Sequence, residues 1–127
     1  MKNNVLKLCI SATGEDLDSN VDPRFGRSNY FIIINPDDMS FEVVKNENSQ
    51  AMGGAGIRTA ELIVKKGANI VITGNIGPNA FQTLKAADVN VITGVDGKIK
   101  DVVNKFNQGL LKEVDNPNVG SHFGMGK

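Results

Sequence analysis

The sequence predicts a three-layer α/β/α domain built on a five-stranded mixed sheet. Three observations carry that prediction: short apolar runs of strand length, helical apolar periodicity alternating with them in the second half, and Gly- or Pro-rich joints between the two. Residues 5–12 read as a first strand, through Val5-Leu6-Lys7-Leu8-Cys9-Ile10. A loop punctuated by Gly, Asp and Pro then leads to a second apolar run at Tyr30–Ile34. Asn35-Pro36-Asp37-Asp38 is turn chemistry, and Phe41-Glu42-Val43-Val44 resumes as a third strand. So short a link predicts an antiparallel pair.

The rhythm then changes. Ile57, Ala60, Ile63 and Val64 recur at helical spacing, and Lys65-Lys66-Gly67 closes that helix with cations and a glycine. Residues 70–74 are a buried-strand run ending in glycine, and Pro78 opens a second helix carrying Phe81 and Leu84. Residues 89–94 form a further strand, in which Val91-Ile92-Thr93-Gly94 repeats Val71-Ile72-Thr73-Gly74. Ile99, Val102, Val103, Phe106 and Leu110 make the apolar stripe of a third helix. The order is β-β-β-α-β-α-β-α. Strands separated by a helix cross over right-handedly and lie parallel, which puts helices on both faces in a ribonuclease-H-like arrangement. Residues 1–115 read as one domain, and 116–127 as a flexible Gly- and Asn-rich C-terminal tail.

Composition narrows the function classes. The chain has 127 residues, 40% hydrophobic and 22% charged, with 14 basic against 14 acidic side chains. Zero formal net charge argues against a general nucleic-acid binder, which neutralises phosphates with a basic surface. The single cysteine forbids an internal disulfide and fits a reducing, cytoplasmic setting. No signal-peptide pattern and no membrane-length apolar run is present, so no membrane association is expected.

The chemistry concentrates in three segments. Asp22-Pro23-Arg24-Phe25-Gly26-Arg27 sets two guanidiniums around a Phe-Gly pair, and arginine presents a planar, permanently charged fork to anions. Gly53-Gly54-Ala55-Gly56 precedes the first helix, with Arg58 in its first turn. Thr73-Gly74-Asn75-Ile76-Gly77 precedes the second. Ligands of open α/β sheets bind beyond the carboxyl ends of the parallel strands, and helix N-termini there favour anions. Arg24, Phe25, Gly26, Arg27, Gly53, Gly54, Gly56, Arg58, Gly74, Asn75 and Gly77 are therefore the candidate binding residues. Tight βα connections would call for the same glycines.

Other chemistries are poorly supplied. Thr59 stands where GxGxxG would need its third glycine, and no GxxxxGK[ST] occurs. The predicted strands at 5–12 and 71–73 lack the clustered carboxylates of two-metal phosphoryl transfer. His122 is the only histidine and falls in the predicted tail, away from any rigid nucleophile–base frame. Cys9 reads as a buried, inert thiol, and Met52 as loop packing or a soft contact at the mouth of the site. His122 and Met125 offer an imidazole and a thioether to a soft metal, if the tail orders. No catalytic set emerges, and no enzyme is expected.

The loop Arg24-Phe25-Gly26-Arg27-Ser28-Asn29-Tyr30-Phe31, the entry from Met52 to Gly56 and the repeated Ile-Thr-Gly strand ends resemble the dinitrogenase iron–molybdenum cofactor family, from about Val5 to Leu111. That family includes nitrogenase cofactor carriers, the C-terminal domain of a cofactor-synthesis enzyme and small stand-alone archaeal and bacterial proteins. The resemblance implies a ribonuclease-H-like fold that binds an anionic iron–molybdenum–sulfur or related metal–sulfide cluster, or a thiometallate precursor, without nuclease activity. One stand-alone relative carries a molybdenum–copper sulfide cluster non-covalently. The carriers have His-Phe-Gly where this chain has Arg24-Phe25-Gly26, and a guanidinium cannot ligate a metal. The expected function is a non-enzymatic cluster carrier or assembly protein with a cofactor-assembly partner. The alternative is a protein–protein module of iron–sulfur or redox cofactor assembly, with Phe25 and Phe123 as exposed anchors.

Overall fold

The structure, a computed structural model, describes residues 5–118. Five strands, β1 (Leu8–Ala12), β2 (Tyr30–Ile34), β3 (Phe41–Lys45), β4 (Ile70–Ile72) and β5 (Asn90–Ile92), alternate in their second half with helices α1 (Ala55–Lys65), α2 (Pro78–Ala86) and α3 (Ile99–Asn107). The sheet order is β3-β2-β1-β4-β5. β1–β2 and β2–β3 are antiparallel, with Cys9 opposite Ile33 and Ile32 opposite Val43, while β1–β4 and β4–β5 are parallel. The predicted class and element order are those observed.

Strand alternation divides the apolar residues between two cores. Cys9, Phe31, Ile33, Val71 and Val91 face α1 and α2, where they meet Ala60, Ile63, Phe81 and Leu84. Leu8, Ile10, Ile32, Ile34, Ile70, Ile72 and Ile92 face α3, where they meet Ile99, Val102 and Val103. The central strands are therefore apolar without alternation because both faces are covered. Among the described residues, no helix is long and apolar enough to cross a membrane.

Three sequence expectations shift. The first strand starts at Leu8 instead of Val5, which is 52% exposed. Leu110 leaves the predicted helical stripe because α3 stops earlier. Gly109, at φ 74°, donates to Phe106 O, and Leu110 donates to Lys105 O, a Schellman closure that turns Leu110 outward at 63% exposure. Ile57, expected in the core stripe of the first helix, is 37% exposed in the first turn of α1.

Candidate functional site

Because β1, β4 and β5 run parallel, their carboxyl ends share one edge of the sheet, and all three helices begin there. A helix leaves its first N–H groups without intrahelical acceptors and carries partial positive charge at that end. At α3 the protein supplies the missing acceptors. Ile99 N–H donates to Ser19 O at 2.9 Å and Lys100 N–H to Leu17 O at 3.0 Å, while Lys100 Nζ lies 2.8 Å from Asp18 Oδ1. That pair holds the Asp18 carboxyl below its ordinary range, chiefly through the Lys100 hydrogen bond.

The other two helices are treated differently. α1 follows Gly54 and α2 follows Gly77; neither N-cap makes a side-chain hydrogen bond, and neither first turn holds an acidic residue. Both open onto one cavity of about 370 Å³ lined by Arg24, Phe25, Gly26, Gly54, Ala55, Gly56, Ile57, Asn75, Ile76, Gly77, Pro78, Asn79 and Ala80. The N–H groups of Ala55, Gly56 and Ile57 at α1, and of Asn79 and Ala80 at α2, lie ahead of the first intrahelical bonds, Arg58 to Gly54 O and Phe81 to Gly77 O.

Close backbone approach brings these segments together. Phe25 N–H donates to Asn75 O at 3.1 Å and Asn75 N–H to Pro23 O at 2.8 Å, docking the arginine loop on the β4–α2 turn. A Cβ at Gly74 would stand 2.8 Å from Pro23 Cα, so only glycine admits that docking. A Cβ at Gly26 would lie 3.1 Å from Gly56 Cα, and one at Gly56 would lie 3.4 Å from Ala80 Cβ. Loop, α1 and α2 thus stack through their smallest residues.

Buried polar groups fix the loop from behind. Asn46 Nδ2 donates to Ser28 O at 2.8 Å and to Gly26 O at 3.4 Å, and Thr59 Oγ1 donates to Gly26 O at 3.3 Å. Ser11 Oγ donates to Asp22 O at 2.7 Å and pairs with Thr73 Oγ1 at 2.8 Å. Asp22, 5% exposed, accepts the Arg24 N–H and meets Arg24 Nε at 3.5 Å, leaving the Arg24 side chain 64% exposed.

Seven of the sequence-predicted residues, Arg24, Phe25, Gly26, Gly54, Gly56, Asn75 and Gly77, converge on the cavity; Arg27, Gly53, Arg58 and Gly74 do not line it. Arg27 is turned to another task. Its Nη1 donates to Ser49 O at 3.0 Å and Ala51 O at 2.7 Å, holding the loop ahead of Gly53. Phe25 is 2% exposed and packs edge-on against Phe31 with ring centroids 5.3 Å apart, so it is no exposed docking anchor. Cys9 is buried, and burial pushes its thiol well above the ordinary range. Met52 is fully exposed beside the glycine entry. His122, Phe123 and Met125 lie outside the described residues.

The lining residues outside the sequence-predicted set are Ala55, Ile57, Ile76, Pro78, Asn79 and Ala80. Pro78 at the start of α2 was the available signal, since the N–H groups just after it have no acceptor within the helix. Among the described residues, no cluster of three or more His, Cys, Asp or Glu could hold a metal ion. The cavity offers amide N–H groups, one guanidinium and apolar walls. Such a lining suits an anion whose own coordination is already complete.

Residues 6–109 match the family model described as dinitrogenase iron-molybdenum cofactor. An uncharacterized protein of Methanocaldococcus jannaschii is 29% identical over 115 residues, 87% of this chain and 98% of that protein. The apo form of the orange protein from Desulfovibrio gigas superposes with a TM-score of 0.87 at 34% identity, covering 92% of this chain and 99% of that one. A provisionally named NifB protein from Thermotoga, solved by NMR, gives a TM-score of 0.74 at 38% identity, covering 85% and 92%.

Proposed function

The chain belongs to the dinitrogenase iron–molybdenum cofactor family, and on that premise we propose that it is a small carrier or assembly protein whose cargo is an anionic metal–sulfur cluster or a thiometallate precursor. One observation carries this reading: of three helix N-termini at the same sheet edge, one is capped by carbonyls of the β1–β2 loop, and two around a cavity have no capping partner among the described residues. Water can accept from those N–H groups, but an anion also gains from the partial positive charge that both helix ends aim into the cavity.

Each part of the lining then has a task. The amides of Gly56, Ile57, Asn79 and Ala80 donate to sulfides on the cargo surface, and Arg24 pairs with its charge. Phe25, Ile57, Ile76 and Pro78 provide apolar contact for large, weakly hydrated sulfides. Arg24 cannot bond to the metal, so its part is to pair with the charge of the cargo. His122 and Met125 belong to this reading as soft donors from the C-terminal segment. The orange protein is described in an apo form, which supports a loadable relative. The family supports an assembly partner that delivers or removes the cargo.

Anaerobic titration of the full chain with tetrathiomolybdate, followed by gel filtration, tests the proposal. Coloured anion should co-elute with wild-type protein in a one-to-one ratio, and Arg24→Ala should weaken binding about tenfold or more, the usual effect of losing a charge-assisted hydrogen bond. Wild-type protein that elutes free of the anion would overturn it.

A further inference from the structure

Asn75 lines the cavity, and its side-chain amide is held at both ends. Its Nδ2 donates to Pro23 O at 3.1 Å, and its Oδ1 accepts from Asn118 Nδ2 at 3.0 Å. Asn118 is distant in sequence but rests on the same β4–α2 turn. Its Nδ2 also donates to Gly74 O at 2.9 Å, and its Oδ1 accepts the Ile76 N–H at 2.8 Å. The approach is prepared upstream, where Val114 N–H donates to Val91 O at 2.8 Å and lays the chain along β5. Main-chain groups dictate the direction of this relay. A carbonyl can only accept and an N–H can only donate, so Asn118 must turn its nitrogen to Gly74 O and its oxygen to Ile76. That nitrogen then faces Asn75, and Pro23 O independently demands the nitrogen of Asn75. A flipped Asn75 amide would set oxygen against Pro23 O and nitrogen against the Asn118 nitrogen, losing both hydrogen bonds.

We infer that Asn118 is a positioning residue for the anion site: it locks the Asn75 amide so that the cavity meets a donor hydrogen of Nδ2 and is spared the Oδ1 lone pairs. Asn75 Nδ2 carries two hydrogens, of which Pro23 O takes one, and the second is what Asn75 brings to the cavity wall. An anion is attracted by that hydrogen and repelled by an amide oxygen, so the lock selects for negative charge. Asn118 acts through Asn75 and not on the anion itself. The same relay runs on to the arginine loop, because Pro23 directly precedes Arg24 and Phe25 N–H donates back to Asn75 O at 3.1 Å. Asn118 therefore braces the two walls of the cavity against each other from outside it.

This inference rests on the carrier reading for its purpose, but the lock itself is read without any cargo. In amide NMR spectra of the full chain, Asn118→Ala should shift the Asn75 side-chain NH2 pair and speed exchange of the Ile76 N–H about tenfold or more, while the amides of Leu84 and Val103 stay in place. Anaerobic titration with tetrathiomolybdate then forms a double-mutant cycle. Asn118→Ala should weaken binding about tenfold in the wild-type background and less than about twofold in an Asn75→Ala background, because its effect passes through Asn75. A loss of equal size in both backgrounds would make Asn118 a general brace of the turn and overturn the inference. So would an Asn75 NH2 pair that Asn118→Ala leaves unmoved. Wild-type protein that binds no tetrathiomolybdate would reject the carrier reading, and the Asn75 resonances would then decide the lock.

Discussion

Gly74 sets how deeply the arginine loop rests on the sheet edge, because the Pro23 backbone occupies the space a side chain would need. Gly74→Ala should cost about 1–3 kcal/mol, as overpacking does, seen as a lower urea midpoint at unchanged slope. Cys9 makes the opposite kind of prediction. Burial raises its folded-state pKa, whereas the unfolded thiol ionises near about 8.5. The stability tied to the neutral thiol is therefore complete below that pH and is lost as pH rises above it. Alkylation of Cys9 by iodoacetamide should follow global unfolding, and the thermal midpoint should fall between about pH 8.5 and 10. Neighbouring residues show where sequence reading stops. Arg24 and Arg27 flank the same Phe-Gly pair and look equivalent in the chain, yet only Arg24 lines the cavity. Arg27 is claimed by carbonyls 22 and 24 positions away, a pairing that local chemistry does not encode.

Among the elements, the loops at the sheet edge shape the candidate site. The first half of the long β1–β2 loop caps α3, and its second half forms one wall of the cavity. Arg27 ties that wall to the loop between β3 and α1. Arg27→Ala should therefore lower stability by about 1–2 kcal/mol and leave tetrathiomolybdate affinity within about threefold, the reverse of Arg24→Ala. Paired urea melts and anaerobic titrations of the two variants separate the roles. Strand and helix order was legible because the periods of apolar residues differ, and α1 ends at the predicted glycine, Gly67, at φ 80°. The end of α3 was harder to read. The apolar spacing continues through Leu110, but Gly109 takes the left-handed conformation and closes the helix first. Asn118 gave no sequence signal at all, since its partners lie 42 to 44 residues earlier.

For the whole molecule, the topology gathers three helix starts at one edge, and among the described residues backbone carbonyls satisfy only one of them. Stability and binding should consequently oppose each other at the remaining two. An acidic residue in the first turn of α2 supplies negative charge at that helix end, which favours the helix by about 0.3–1 kcal/mol and places like charge beside the proposed anion site. Asn79→Asp is the direct test, read by thermal melting and by anaerobic equilibrium titration with tetrathiomolybdate. The variant should melt higher than wild type and bind the anion at least tenfold more weakly. A variant that binds the anion as tightly as wild type would contradict the claim that these uncapped helix ends hold the cargo.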